Sequence, residues 1–148
     1  MRHRHLGRTI LMKMLYAMDI GGLSIEHIRK YYPPYLSSFG IVREFVDSYF
    51  EDLVKKMPEL DKDISKFSRN WSINRISAIN RALMRLGLYE MKYKKDIPNA
   101  VAIDEALKLA DEFSDNESKR FINGILDAIR RSYFGNGRAS GRSAPRKR

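Results

Sequence analysis

The chain of 148 residues contains no cysteine, which excludes disulfide bonds, thiolate zinc sites and a cysteine nucleophile and fits a reducing compartment. Long apolar runs are also missing, because Lys, Asp or Arg interrupts each stretch well short of the roughly 20 residues that a membrane span needs. The basic start lacks the apolar core and the cleavage site of a secretory signal. We therefore expect a cytoplasmic protein without a membrane segment.

Groups that carry catalysis are scarce as well. Of the three histidines, His3 and His5 lie near the start of the chain, and His27 stands alone on a short predicted helix. There is no zinc-binding HExxH motif, no glycine-rich phosphate loop and no serine elbow. Asp104 and Glu105 are adjacent on a predicted helix and point in different directions, which makes them a poor acid–base pair. We expect no enzyme, no cofactor and no metal site.

Acidic residues are missing from both ends of the chain. The net charge is +10, of which residues 1–13 carry +4 and residues 130–148 carry +7, so the long middle sums to −1. Clustered Lys and Arg displace counterions from a phosphate backbone, whereas a charge that only maintains solubility can be scattered. This distribution predicts a nucleic acid as the partner.

What the sequence does contain is helical spacing. Apolar residues recur at intervals of three and four in almost every segment between turn signals, and no segment alternates convincingly with a period of two. The expected helices cover residues 9–20, 25–31, 41–57, 60–67, 79–94, 101–113 and 121–129. Pro58 is expected to break a helix, and Ser24, either Ser72 or Ser77, and Asn99 are expected to cap one. The pattern predicts an all-α fold of about seven helices in antiparallel bundles.

The helical pattern indicates one domain over residues 1–136. Its N-terminal bundle is expected to reach about residue 70, and its C-terminal bundle to begin at about residue 71. Trp71, the only tryptophan, is expected to plug the corner between the halves. Residues 137–148 lack any large apolar side chain, so nothing offsets the entropy cost of ordering them. We expect a flexible basic tail there.

Several motifs follow one another in a characteristic order. After the basic start come Met14-Leu-Tyr16-Ala-Met-Asp19, Trp71-Ser-Ile-Asn-Arg75, Arg81-Ala-Leu-Met-Arg85-Leu-Gly-Leu-Tyr-Glu90, Asp96-Ile-Pro98, Val101-Ala-Ile-Asp-Glu105-Ala and Glu117-Ser-Lys-Arg-Phe121-Ile-Asn-Gly124-Ile-Leu-Asp127. Across roughly residues 4–133 the chain resembles the NusB family of bacterial transcription antitermination factors. The resemblance implies two small helical bundles packed side by side.

The same resemblance implies a function. It implies binding of single-stranded boxA RNA together with NusE, a small-subunit ribosomal protein, and action with the RNA polymerase elongation complex and other Nus factors on ribosomal RNA operons. A homodimer is possible, and the sequence leaves open whether the free protein is a monomer or a dimer.

The resemblance places one set of RNA contacts on the basic start and the first helix. Arg4 and Arg8 align with family arginines and can fork onto phosphate oxygens, and Arg2 and Lys13 are weaker candidates for the same role. Tyr16 matches a family aromatic residue and can stack on a base. The ordinary interpretation is a solvated basic face for the cations and a core position for the tyrosine.

The second set lies at the start of the last helix, where Glu117, Lys119, Arg120 and Phe121 match an acidic-basic-aromatic block of the family. A carboxylate beside RNA is useful only where it accepts from a base amino group such as cytosine N4, which makes Glu117 a candidate for specificity. Otherwise it is a first-turn acid that favours the helix dipole. On spacing alone Phe121 belongs to the core. Gly124 indicates either the close approach of another backbone or simple tolerance.

Together, the cationic termini and the last-helix block are expected to form one concave track for unpaired ribonucleotides. The alternative is a general RNA- or ribosome-binding module without sequence specificity. Such a module would show a steep salt dependence and little preference among single strands.

Overall fold

The computed structural model describes residues 2–69 and 72–135, and within these ranges it is all-helical, with no strand. This confirms the expected fold class. The α-helices are α1 (Arg2–Gly21), α2 (Ile25–Tyr31), α3 (Pro33–Leu36), α4 (Gly40–Asp47), α5 (Phe50–Phe67), α6 (Ala78–Tyr93), α7 (Asn99–Phe113) and α8 (Asn116–Phe134), and a 3-10 turn covers Ile73–Arg75. Because α3 is a single turn, the helices longer than one turn in the described ranges match the expected seven.

Two expectations concern residues outside the described ranges. They are the corner position of Trp71 and the flexible tail over residues 137–148. Among the helices described, none combines the length and the apolarity that crossing a membrane requires.

The first compact unit extends to Met57 and is built around α1. α1 begins at Arg2, earlier than the predicted start at residue 9, because the arginine-rich segment continues the helix and arginine is a good helix former. Its apolar stripe, including Leu11, Met14 and Leu15, is buried. α1 packs against α4, and also against α2 and α3.

The long helix predicted over residues 41–57 is two helices, and the predicted break at Pro58 is wrong. α4 ends at Asp47, where the Ser48 hydroxyl donates to the Phe45 carbonyl oxygen at 2.7 Å and competes with continuation of the helix. α5 runs through Pro58, at the cost of one backbone hydrogen bond. Leu53 and Leu60 are fully buried on either side of the proline, and this burial favours an uninterrupted helix.

The predicted caps are confirmed at two positions and wrong at a third. The Ser24 hydroxyl oxygen accepts from the His27 backbone N–H at 3.0 Å, and that of Ser77 accepts from Asn80 N–H at 3.3 Å. Asn99 is the first residue of α7 and does not cap it. Pro98 occupies the cap position, because its backbone is held in the extended conformation that precedes a helix.

The second compact unit begins at Pro58, earlier than the bundle boundary expected at about residue 71. α6 is its central helix, in which every residue from Ala82 to Met91 is buried. The Arg85 guanidinium on α6 donates to both carboxylate oxygens of Asp61 on α5, at 2.7 and 2.8 Å. This ion pair ties the second half of α5 to α6. The single domain over residues 1–136 stays a prediction.

Candidate nucleic-acid interface

α1 carries the whole N-terminal set of predicted RNA contacts and divides it between two faces. At 3.6 residues per turn, Arg2, Lys13 and Tyr16 lie within about 60° of one another around the helix axis. Arg2 and Lys13 are exposed, and Tyr16 is 38% exposed. The tyrosine is therefore not a core residue, and its ring is open to a stacking base.

Arg4 and Arg8 lie on another side of α1. Arg4 is half-buried, and Arg8 is only 4% exposed. The guanidinium carbon of Arg8 lies 5.6 Å from the centre of the Phe45 ring on α4, within the range of a cation–π interaction. Arg8 would have to leave this position to reach a phosphate. The helix thus brings Arg2, Lys13 and Tyr16 together and separates Arg4 and Arg8 from them.

An apolar groove of about 630 Å³ borders the exposed side of α1. Leu6, Thr9 and Lys13 line it from α1, and Pro33 and Phe39 line it from the following segment. The Tyr32 hydroxyl donates to the Lys13 carbonyl oxygen at 3.2 Å, and burial raises the Tyr32 pKa. The hydroxyl groups of Thr9, Ser37 and Ser38 also line the groove, but each donates to a backbone carbonyl oxygen. With Lys13 as its one cation, the groove lacks the several donors of a phosphate site.

The start of α8 carries the second set of predicted contacts. The Asp115 carboxylate caps the helix by accepting from the Ser118 backbone N–H at 2.8 Å. Chiefly this hydrogen bond, and less strongly the charge of Arg120, lower the Asp115 pKa. Arg120 is exposed, whereas Lys119 points away from Glu117 around the helix and pairs with Asp111 at 2.9 Å.

Glu117 and Phe121 line a groove of about 270 Å³ between the start of α8 and the start of α6. Glu117 is exposed and Phe121 is half-buried, so the phenyl ring serves both the core and the groove. The remaining lining residues are Arg75, Ile76, Ser77, Asn80, Asp115 and Ser118. A carboxylate, a cation and an aromatic ring thus share one concave surface.

Asn80 holds the α8 side of this groove in place. Its buried side-chain amide donates to the Ser118 hydroxyl at 2.9 Å, and its amide oxygen accepts from the Ser114 hydroxyl at 3.1 Å. The first turn of α6 is thereby bonded to both sides of the corner between α7 and α8. Sequence reasoning missed Arg75 and Asn80 as groove residues, although Arg75 stands in one of the motifs that carry the resemblance.

Across residues 2–69 and 72–135, no group of three or more metal-binding side chains is placed to hold an ion. The fold and the two clusters define a class of protein: a small all-α protein whose surface carries cations, an aromatic ring and a carboxylate, groups with which proteins can bind a nucleic acid strand. A family model described as the NusB family matches residues 5–131, and the chain belongs to that family.

The chain is similar to several proteins of known family. Transcription antitermination protein NusB of Elusimicrobium minutum is 37% identical over 133 residues, which cover 88% of this chain and 95% of the relative. The protein of the same name from Bacillus cereus is 35% identical over 132 residues, or 86% and 96% of the two chains.

Solved structures agree with this assignment. NusB of T. maritima superposes with a TM-score of 0.77 at 30% identity, covering 85% of this chain and 89% of that chain. The structure of antitermination factors NusB and NusE in complex with double-stranded RNA has a matching chain with a TM-score of 0.79 at 25% identity. That match covers 90% of this chain and 99% of the other.

Proposed function

We propose that this protein is a transcription antitermination factor that binds boxA-type RNA together with NusE. The match to the NusB family over residues 5–131 carries the proposal. Relatives that bear the name transcription antitermination protein support it, as does the similar structure that contains NusE and RNA. The protein would act in the cytoplasm with RNA polymerase and other Nus factors on ribosomal RNA operons, without catalysis.

The exposed face of α1 would hold the RNA backbone. Arg2 and Lys13 would bind phosphates, which supplies affinity without reading sequence. Tyr16 would stack on a base, a contact worth about 1–3 kcal/mol. Arg4 would add charge from another side of α1. For Arg8 we propose a structural role, because its guanidinium packs on Phe45 and is almost fully buried.

The start of α8 would read the sequence. Glu117 would accept from a base amino group, and Phe121 would stack on the same base from the groove wall. The exposed Arg120 would neutralise a nearby phosphate. Lys119 would contribute less, because its ammonium group is already paired with Asp111.

We propose a single strand as the ligand, although the similar NusB–NusE structure contains double-stranded RNA. Glu117 can accept from a base amino group on the Watson–Crick edge only where that edge is unpaired. In an RNA duplex this edge is occupied, and the deep major groove is too narrow for side chains.

The test measures dissociation constants for a boxA-like strand, a scrambled strand and a duplex of the boxA-like sequence. Each is measured at one salt concentration, with and without NusE. We expect the boxA-like strand to bind most tightly and NusE to increase its advantage. Equal binding of the two single strands, together with a steep salt dependence, would instead identify the alternative, a general RNA- or ribosome-binding module.

A further inference from the structure

We infer that Arg75 is a further specificity residue, and that with Glu117 it selects cytosine over uracil in the groove between the starts of α6 and α8. The inference rests on the proposed function and names the nucleotide that this part of the surface reads. Arg75 enters the groove from the 3-10 turn, whereas Glu117 and Phe121 enter it from α8.

Arg75 and Glu117 both keep their hydrogen-bonding capacity available. Each side chain is exposed, and within residues 2–69 and 72–135 neither forms a hydrogen bond or an ion pair. Opposite charges that line the same groove without pairing leave a set of donors beside a set of acceptors. A ligand that bears both kinds of group on one edge can satisfy them together.

The Arg75 side of the groove is held by an arginine of the next helix. The Arg81 guanidinium on α6 donates to the carbonyl oxygens of Ile73, Asn74 and Ile76, at 3.2, 3.4 and 2.5 Å. These bonds secure the backbone on both sides of Arg75. Arg81 is therefore a positioning residue for Arg75.

The two sides of the groove are anchored by consecutive residues of α6. Arg81 holds the 3-10 turn, and Asn80 holds the first turn of α8 through Ser118. Since both anchors lie on one rigid helix, the spacing between the backbone segments that carry Arg75 and Glu117 is set before any ligand arrives. Ligand binding then has to order only the two side chains and not the backbone that carries them.

Of the two pyrimidines of RNA, the chemistry of the groove fits cytosine. A volume of about 270 Å³ accommodates a single base, and Phe121 provides a face for stacking. Cytosine presents its N4 amino group as a donor for the Glu117 carboxylate, and N3 and O2 as acceptors for the Arg75 guanidinium. Uracil places the acceptor O4 where cytosine has the amino group, so the carboxylate repels it.

The test uses a boxA-like strand and a series of strands in which each cytosine in turn is replaced by uracil or guanine. Dissociation constants are measured at fixed salt for the full chain and for R75A, R75K and the control R131A. Arg131 is an exposed arginine about 21 Å further along α8 than Glu117, so its loss removes the same charge away from the groove.

For the unsubstituted chain we expect one cytosine whose replacement by uracil weakens binding at least about fivefold. In R75A, the dissociation constants of the uracil and cytosine strands at the same position should become nearly equal. R75K keeps the charge without the planar fork of the guanidinium. It should therefore retain affinity for the cytosine strand and lose part of its preference over the uracil strand. R131A should weaken binding to both strands equally.

The positioning role of Arg81 has its own readout. R81M keeps an unbranched side chain and removes its donors, so amide hydrogen exchange at residues 73–76 should accelerate. The cytosine preference should fall in parallel. R75A should lower the preference without changing the exchange. An R81M chain with unchanged exchange and preference would remove Arg81 from the mechanism.

Two outcomes would overturn the inference for Arg75. One is an equal change in R75A and R131A, which would reduce Arg75 to a general charge. The other is the absence of a cytosine preference, or a preference for guanine, in the unsubstituted chain. Neither outcome affects the proposed function, which is decided by comparing the dissociation constants of the boxA-like strand and the scrambled strand. Circular dichroism checks the folding of R75A, and R75K provides a second variant.

Discussion

At Gly7 the absence of a side chain allows α1 to lie against α4. A β-carbon at this position would overlap the ring of Phe45. Gly124, which the sequence singled out, is different, because a β-carbon there would meet nothing within 4 Å. Of the two interpretations of Gly124, the close approach of another backbone is wrong and simple tolerance remains. Both glycines lie inside helices, so only their surroundings distinguish them.

Substituting the two glycines by alanine should have opposite effects. Gly7→Ala forces Phe45 to move and should lower the free energy of unfolding by about 1–3 kcal/mol. Gly124→Ala improves helix propensity at an open site and should raise it by up to about 1 kcal/mol. Urea denaturation of both variants measures the difference. Equal stabilisation by the two alanines would mean that α1 and α4 are less tightly packed than the structure indicates.

At the level of helices, α1 combines packing with an exposed face that we propose binds RNA. Its apolar stripe and Arg8 face the first unit, whereas Arg2, Lys13 and Tyr16 remain accessible on one side. The family resemblance predicted that Arg4 and Arg8 would both contact phosphate. The structure places Arg8 over Phe45, so the charges that are most accessible belong to Arg2 and Lys13.

Two double variants, each removing two positive charges, separate these faces of α1. R2A/K13A should weaken RNA binding and reduce the slope of log K against log salt by about 1 to 2, while thermal stability stays unchanged. R4A/R8A should lower the midpoint of thermal unfolding, because removal of the Arg8 side chain leaves a gap against Phe45. Affinity titrations at several salt concentrations and thermal unfolding provide the two measurements.

One outcome for R4A/R8A would contradict the structural role proposed for Arg8. A loss of RNA affinity at unchanged thermal stability would show that Arg4 and Arg8 contact phosphate, as the resemblance implies. Arg8 would then have to rotate away from Phe45 when RNA binds.

For the molecule as a whole, the positive charge is concentrated at the ends of the sequence. Residues 138–148, which lie outside the described ranges, contribute Arg138, Arg142, Arg146, Lys147 and Arg148 without an acidic residue. Such a segment can attract any phosphate backbone over a Debye length, but it has no aromatic ring or carboxylate with which to read a base.

Replacing these five cations by serine should therefore reduce affinity for the boxA-like and the scrambled strand by the same factor. The salt dependence should become shallower, whereas the ratio of the two dissociation constants should stay constant. A chain that ends at residue 137 serves as the control for tail length. A fall in the ratio would place part of the specificity in the tail.

The sequence by itself determined the all-α class, the approximate number of helices, the cap at Ser24 and the family resemblance. It left the next cap open between Ser72 and Ser77, and the structure decided for Ser77. These features depend on residues close together in the chain, because helical hydrogen bonds and apolar periodicity operate over three to four residues. The RNA-contact residues stay predictions that the experiments above address, and the single track that they are expected to form stays a prediction.

Only the tertiary structure decided which local preferences were overruled. α5 continues through Pro58 because Leu53 and Leu60 are buried on both sides of it. Arg8 is buried because α4 brings Phe45 to it, and Arg75 shares a groove with Glu117 because α6 anchors both of their segments. Each outcome depends on contacts between residues far apart in the sequence, and no local pattern of spacing or charge records which distant residues will meet.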